Sequence, residues 1–205
     1  MLKLKKVAIT GGLSCGKSTV CRILKQHGAY VVSADNIVHQ LLSSDASLGK
    51  QIVHLLGPGV LVHGKLDRSR IADIVFHDEK LLKALEKLIH PAVYRELNRD
   101  YQQQLHHPHP PPLFIAEVPL LFESGGEKDF DFTVAVVAKR ELCFTRFTKA
   151  TGCTNEQFNH RAARQLDELQ KVALADDVIY NDGTLADLQQ TTAELYQKLI
   201  DTPLS

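Results

Sequence analysis

Gly11 to Thr19 reads GGLSCGKST and follows directly on the apolar run VAIT. No other stretch so narrows what this chain can fold into. Gly11, four residues, then Gly16-Lys17-Ser18 fits the spacing of a loop that wraps phosphate. The residue types have physical reasons. Glycines let successive backbone N–H groups turn toward an anion and approach it closely. A helix that follows offers its unpaired N–H groups and the positive end of its dipole. Lys17 adds a mobile point charge, and Ser18 adds an oxygen suited to Mg²⁺.

The flanks support the motif. Leu4 to Thr10 reads as a buried strand, and Lys17 to His27 as a helix with Val20, Ile23 and Leu24 on one face and Gly28 as its stop. AYVVSAD then reads as a second short strand and Asn36 to Leu42 as a helix. Strand, glycine loop, helix, strand is the start of an α/β fold with a parallel sheet. From about residue 44 to 104 the periodicity is helical, with turns at GPGV and VHGKLD and no strand-length run. This predicts a helical insertion, its long helix interrupted at His90-Pro91. LFIAE and FTVAVVA read as the third and fourth strands, Lys139 to Lys149 as a helix, Asn155 to Leu174 as one long polar helix, DVIYN as a fifth strand, and Thr184 to Ile200 as a closing amphipathic helix. The expected fold is a three-layer α/β sandwich of the P-loop NTPase type, with a five-stranded parallel sheet. The core is expected at 1–43, 113–142 and 176–205, the helical insertion at 44–112, and a lid at 143–175.

Composition narrows the partners. Lys+Arg and Asp+Glu are equal at 24 each, so the basic excess of a phosphate-backbone binder is missing and no nucleic acid partner is expected. No apolar run reaches the roughly 18 residues of a membrane span, and no signal-peptide pattern appears, so a cytoplasmic protein without membrane or obligate protein partners is expected. The four cysteines form no C-x-x-C and suit no zinc site, which points to reduced thiols. HHPHPPP, from His106 to Pro112, reads as a solvated proline-rich connector rather than a metal site.

A phosphate loop names a ligand, not a reaction. The chain has no N-K-x-D, which a GTPase would use to read its base. The apolar strand LFIAE ends in Glu117, a candidate outer-shell partner for a metal. Asp35 lies at the tip of the second strand, which in a parallel sheet ends on the same edge as the loop. A carboxylate there can accept a proton from an attacking hydroxyl or orient Mg²⁺, or it can cap the following helix. Arg146, Lys149, Arg161 and Arg164 stud the helices after the fourth strand, and Arg161 and Arg164 share a helix face. Such cations either close over a triphosphate or form a solvated face.

Over nearly its whole length the chain resembles the dephospho-CoA kinases. The resemblance rests on TGGLSCGKSTV, SADNIVHQLL, GKLDRSRIADIVF, LEKLIHPAV, EVPLLFESG, RAARQ and ADDVIYNDGT, in that order. It implies ATP-dependent phosphorylation of the ribose 3′-hydroxyl of dephospho-CoA, with ATP and Mg²⁺ bound. It also implies site residues. Gly11, Gly12, Leu13, Ser14, Cys15, Gly16, Lys17, Ser18 and Thr19 hold the nucleotide, with Lys17, Asp35 and Arg146 catalytic and Ser18 on the metal. Arg146 and Arg161 match lid positions, and Asn181 and Gly183 match the segment beside the adenine. Asp35, Arg68, His90, Pro119, Leu120 and Leu121 fall on the acceptor side. Four positions depart from the family pattern: Ser14-Cys15 stands where Gly-Ser is common, Ser33 where a further Asp is frequent, and Lys149 where relatives often carry a second Arg. From the residues alone, a kinase for another small nucleotide-like acceptor and a non-catalytic nucleotide-dependent interaction protein stay open.

Overall fold

The structure, a computed structural model, describes residues 4–203. These divide into two compact units, one of residues 4–33 and 101–203, the other Ala34–Asp100. The first is built on a five-stranded sheet. Its strands are β1 (Lys5–Gly11), β2 (Tyr30–Ser33), β5 (Leu113–Glu117), β6 (Phe132–Val137) and β7 (Asp177–Tyr180), in the order β2-β5-β1-β6-β7. Every neighbouring pair is parallel. β1 is buried at all seven positions because it sits centrally, and its middle, Val7 to Ile9, is apolar as a strand covered on both faces requires. The parallel pairing carries the C-terminal ends of all five strands to one edge, which is where β1 runs into the glycine loop.

Helices α1 (Lys17–Gln26), α6 (Arg140–Thr151), α7 (Asn155–Ala162), α8 (Glu168–Leu174) and α9 (Leu185–Asp201) complete this unit. Val7, Ile9, Val20, Leu24, Ile115, Val134, Val136, Phe147, Leu195 and Leu199 form its core. At the other side of the sheet Phe114 is fully buried, stacked on Tyr30 with ring centroids 5.7 Å apart and edge-on to Tyr101 at 5.4 Å. The Tyr101 hydroxyl donates to the Leu4 carbonyl at 2.8 Å. Truncating Phe114 to alanine deletes two ring contacts and leaves a cavity against β-strand backbone that cannot collapse. Phe114→Ala is therefore expected to cost about 3–5 kcal/mol, measured as a lowered urea midpoint; a loss below about 1 kcal/mol would mean the site repacks.

The second unit holds α2 (Ala34–Ser44), α3 (Ala46–Leu56), a hairpin of β3 (Leu61–Val62) and β4 (Lys65–Leu66), α4 (Arg68–Phe76) and most of α5 (Glu79–Leu105). Asp45 caps α3 by accepting from the N–H groups of Ser47 and Leu48, and Asp67 caps α4 through Arg70 N–H, all at 2.9 Å.

Three expectations need correction. The insertion is not purely helical: His63 and Gly64 both take positive φ (49° and 76°), the pairing that closes a two-residue hairpin turn. The long helix is not interrupted, because α5 runs through Pro91. Proline forfeits one intrahelical bond, but the buried stripe Leu85, Ala92, Val93 and Leu97 keeps both halves in register. The polar helix after α6 is two helices. It breaks at residues 163–167 because Asp167 starts α8 with a capping box, its side chain on Gln170 N–H and Gln170 back on Asp167 N–H.

Candidate functional site

The loop between β1 and α1 alternates hands. Gly11 has φ 143°, Ser14 57° and Gly16 109°, so the N–H groups turn inward rather than along a strand or helix. Ser14 takes this conformation without being glycine, a strain that a glycine at that position would relieve. Gly11 and Gly16 are fixed by space as well as by φ. A Cβ on Gly11 would lie 2.0 Å from the Val136 carbonyl oxygen, and one on Gly16 2.2 Å from Asn181 Nδ2. A Cβ on Gly12 would meet nothing within 4 Å.

Lys17 opens α1, and its buried ammonium folds back over the loop, donating to the Gly11 and Gly12 carbonyls at 3.1 and 2.7 Å. The charge therefore sits where an anion cradled by the loop would meet it. Ser18 is exposed, and its Oγ donates to Glu117 Oε1 at 2.6 Å. Glu117 ends β5 in register with Ile9 of β1 and Ser33 of β2. A hydroxyl and a carboxylate oxygen at one strand edge form a hard-oxygen donor set, which fits Mg²⁺. Thr19 and Leu13 are half-buried, and Cys15 is buried with its Sγ 3.9 Å from Lys17 Nζ.

Asn181 and Arg146 form a second layer under the loop. Asn181 follows β7, is buried, and its Nδ2 donates to the Cys15 carbonyl at 2.8 Å. Arg146, from α6, donates through Nη2 to the Asn181 carbonyl at 3.0 Å, while its Nη1 is buried without a hydrogen-bond partner. A buried guanidinium nitrogen left unpaired fits an anion that completes it. Asn181 thus buttresses the loop directly, a contact the sequence did not signal. Gly183 lies two residues on, packed against the Asp187 carboxylate that caps α9 through Thr184. Arg161, on α7, is exposed and stacks its guanidinium over Phe147 at 5.5 Å.

A cleft of about 500 Å³ opens beside the loop, lined by Gly12, Leu13 and Cys15 and, from α6 to α8, by Arg140, Asn159 and Lys171. Arg140 donates to Asn159 Oδ1 at 2.6 Å and lies over the Phe158 ring. Burial pushes the Cys143 thiol, also on the cleft wall, up to about 11 and that of Cys21 well above its usual range, so both stay protonated near neutrality. Sequence reasoning passed over Arg140 and Lys171, since one surface-type cation in a polar helix looks like another.

In the loop after β5, Val118 N–H extends the β1–β5 pairing through the Ile9 carbonyl at 2.9 Å. The Pro119 carbonyl accepts from Thr10 Oγ1 at 3.2 Å and from Lys171 Nζ at 2.9 Å. Leu120 accepts from Ser124, and Leu121 is fully buried. In the other unit Asp35 lies in the first turn of α2, exposed, two residues past the end of β2; it is a first-turn residue and not the helix cap. Arg68 opens α4, and its Nη1 lies 2.6 Å from His39 Nδ1 of α2. His90 is half-buried within α5, just before Pro91.

The dephospho-CoA kinase family profile matches residues 5–187. The dephospho-CoA kinase of Protochlamydia amoebophila is 53% identical over 97% of this chain and 98% of its own length. That of Chlamydia pneumoniae is 42% identical over the same shares. The solved dephospho-CoA kinase of Campylobacter jejuni superposes with a TM-score of 0.70 at 27% identity, covering 95% of this chain and 96% of its own. Among the described residues no helix is long and apolar enough to cross a membrane. A match spanning the glycine loop, the α6–α8 cations and β7, at identities of this size over full length, shows that the chain belongs to the dephospho-CoA kinase family.

Proposed function

We propose that this chain, as a kinase of that family, moves the γ-phosphoryl group of ATP onto the ribose 3′-hydroxyl of dephospho-CoA, giving CoA and ADP in the last step of coenzyme A synthesis. The observation that carries the reading is the left-handed glycine loop with Lys17 folded across it and the unpaired Arg146 nitrogen beneath. Gly11 to Thr19 cradle the phosphates through backbone N–H groups. Lys17 leaves its two carbonyl partners for the β/γ-phosphates and stabilises charge as the phosphoryl group moves. Ser18, with Glu117 behind it, is the position that would hold Mg²⁺. When bound, the ion neutralises charge shared by the β- and γ-phosphate oxygens. Arg146 and Arg161 serve the nucleotide from a lid formed by about residues 143–175, with Asn181 and Gly183 beside the adenine. Asp35 orients or deprotonates the 3′-hydroxyl. Arg68, His90 and Pro119 to Leu121 hold the acceptor.

Because the transferring group passes through a loose transition state, most of the rate comes from positioning and charge stabilisation. Lid closure would exclude water and suppress wasteful hydrolysis. The test is ADP release from ATP and Mg²⁺ with and without dephospho-CoA, the product being identified by mass spectrometry. Acceptor-dependent release with a single phosphate added to dephospho-CoA is expected. ATP binding without any such turnover, followed by turnover of another nucleotide-like acceptor in a screen, would overturn the choice of substrate.

A further inference from the structure

Lys171 is the one charged residue in the lid segment with no exposed surface. Its ammonium lies 3.0 Å from Glu123 Oε1 and donates to the Pro119 carbonyl at 2.9 Å. Glu123 Oε1 also accepts from Leu166 N–H at 2.8 Å, at the joint between α7 and α8. The Pro119 carbonyl also accepts from Thr10 Oγ1, one residue before the glycine loop. Four segments therefore meet at one buried cation: the end of β1, the loop after β5, the α7–α8 joint and α8 itself. Burial holds the Lys171 ammonium below the usual lysine range, with the Glu123 carboxylate acting against that shift.

Stability alone is a poor reason for this arrangement. Taking both charges out of water is unfavourable, and well-packed apolar substitutes for such pairs are often neutral or stabilising. A lysine also brings three donors to a single point, which no apolar residue does. We propose that Lys171 is a positioning residue for phosphoryl transfer: through Pro119 and Glu123 it fixes the acceptor-side loop and the α7–α8 joint to the edge that carries the phosphate loop. The proposal rests on the reading of Pro119 to Leu121 as acceptor-holding. Lys171 acts through the loop, so removing it disturbs the acceptor more than ATP, and a loosened joint admits water to the γ-phosphate.

Lys171→Met leaves Glu123 buried and unpaired, which threatens folding by itself. The decisive variant is therefore Lys171→Met with Glu123→Leu, which removes both charges and keeps the volume. It is expected to melt near the parent while kcat falls about 10- to 100-fold and KM for dephospho-CoA rises about tenfold. ATP affinity by calorimetry should stay within about twofold, and the share of ADP released without product CoA should rise. Glu123→Gln leaves the Lys171 charge buried without its counter-charge and is expected to lower the melting temperature, as Lys171→Met does. In hydrogen exchange, the Leu166 amide, which donates to Glu123, should lose protection in the double variant. A folded double variant with parental kinetics would overturn the proposal, since the pair would then be structural only. So would a tenfold or larger loss of ATP affinity, which would make Lys171 a phosphate ligand. If the parent itself turned over another acceptor, the substrate reading would fail separately. The KM and exchange measurements would then be made with that acceptor.

Discussion

Asp35→Asn is expected to lower turnover about 10³-fold while leaving ATP affinity within about twofold. The substitution keeps the side chain's size and removes only its charge and its capacity to take a proton. Asp35 sits exposed in the first turn of α2, so it makes no buried contact whose loss could unfold the unit. Its one structural contribution is a negative charge near the positive end of the α2 dipole, worth about 0.3–1 kcal/mol. The melting temperature should therefore move by only a few degrees while transfer collapses. That mismatch separates a catalytic carboxylate from a helix-stabilising one. Near-normal turnover of Asp35→Asn in the ADP-release assay would remove Asp35 from the chemistry, and a large drop in melting temperature would return it to a structural role.

What was legible in the sequence was whatever the backbone needs locally. Gly11 and Gly16 announce themselves because only glycine tolerates their φ and their neighbours. The three central strands were legible because parallel strands covered on both faces are largely apolar runs, as VAIT, LFIA and TVAVV show. The break between α7 and α8 was not, although Asp167 and Gln170 stand three apart as a capping box does. A polar helix and a polar joint share the same composition, and only the cap distinguishes them. Pro91 misled in the opposite direction, because a lost hydrogen bond is a local cost and the buried stripe of α5 is a tertiary gain. The Asn181–Cys15 and Lys171–Pro119 contacts could not be read at all. They join residues 166 and 52 positions apart, and nothing in the local pattern of either partner signals the other.

Gly16→Ala follows from one of those long-range contacts and carries the second large expected effect: a loss of at least about 100-fold in ATP affinity, or roughly 2.8 kcal/mol. Two costs combine. At φ 109° an alanine is strained by about 1–3 kcal/mol. Its methyl group would also lie 2.2 Å from Asn181 Nδ2, which must then move. Asn181 cannot move freely, since it is buried, its amide holds the Cys15 carbonyl, and its own carbonyl holds Arg146. Displacing its side chain releases the Cys15 carbonyl at the centre of the loop. Gly12→Ala is the contrasting case: its methyl group meets nothing within 4 Å, and stability should change by less than about 0.5 kcal/mol. Adding Asn181→Ala to Gly16→Ala separates the two costs. If the clash dominates, the second substitution restores part of the melting temperature lost to the first. If φ strain dominates, the two losses add, since emptying the space leaves the backbone angle unchanged. Retention of full ATP affinity by Gly16→Ala, measured by calorimetry, would mean the loop binds phosphate in a conformation other than this one.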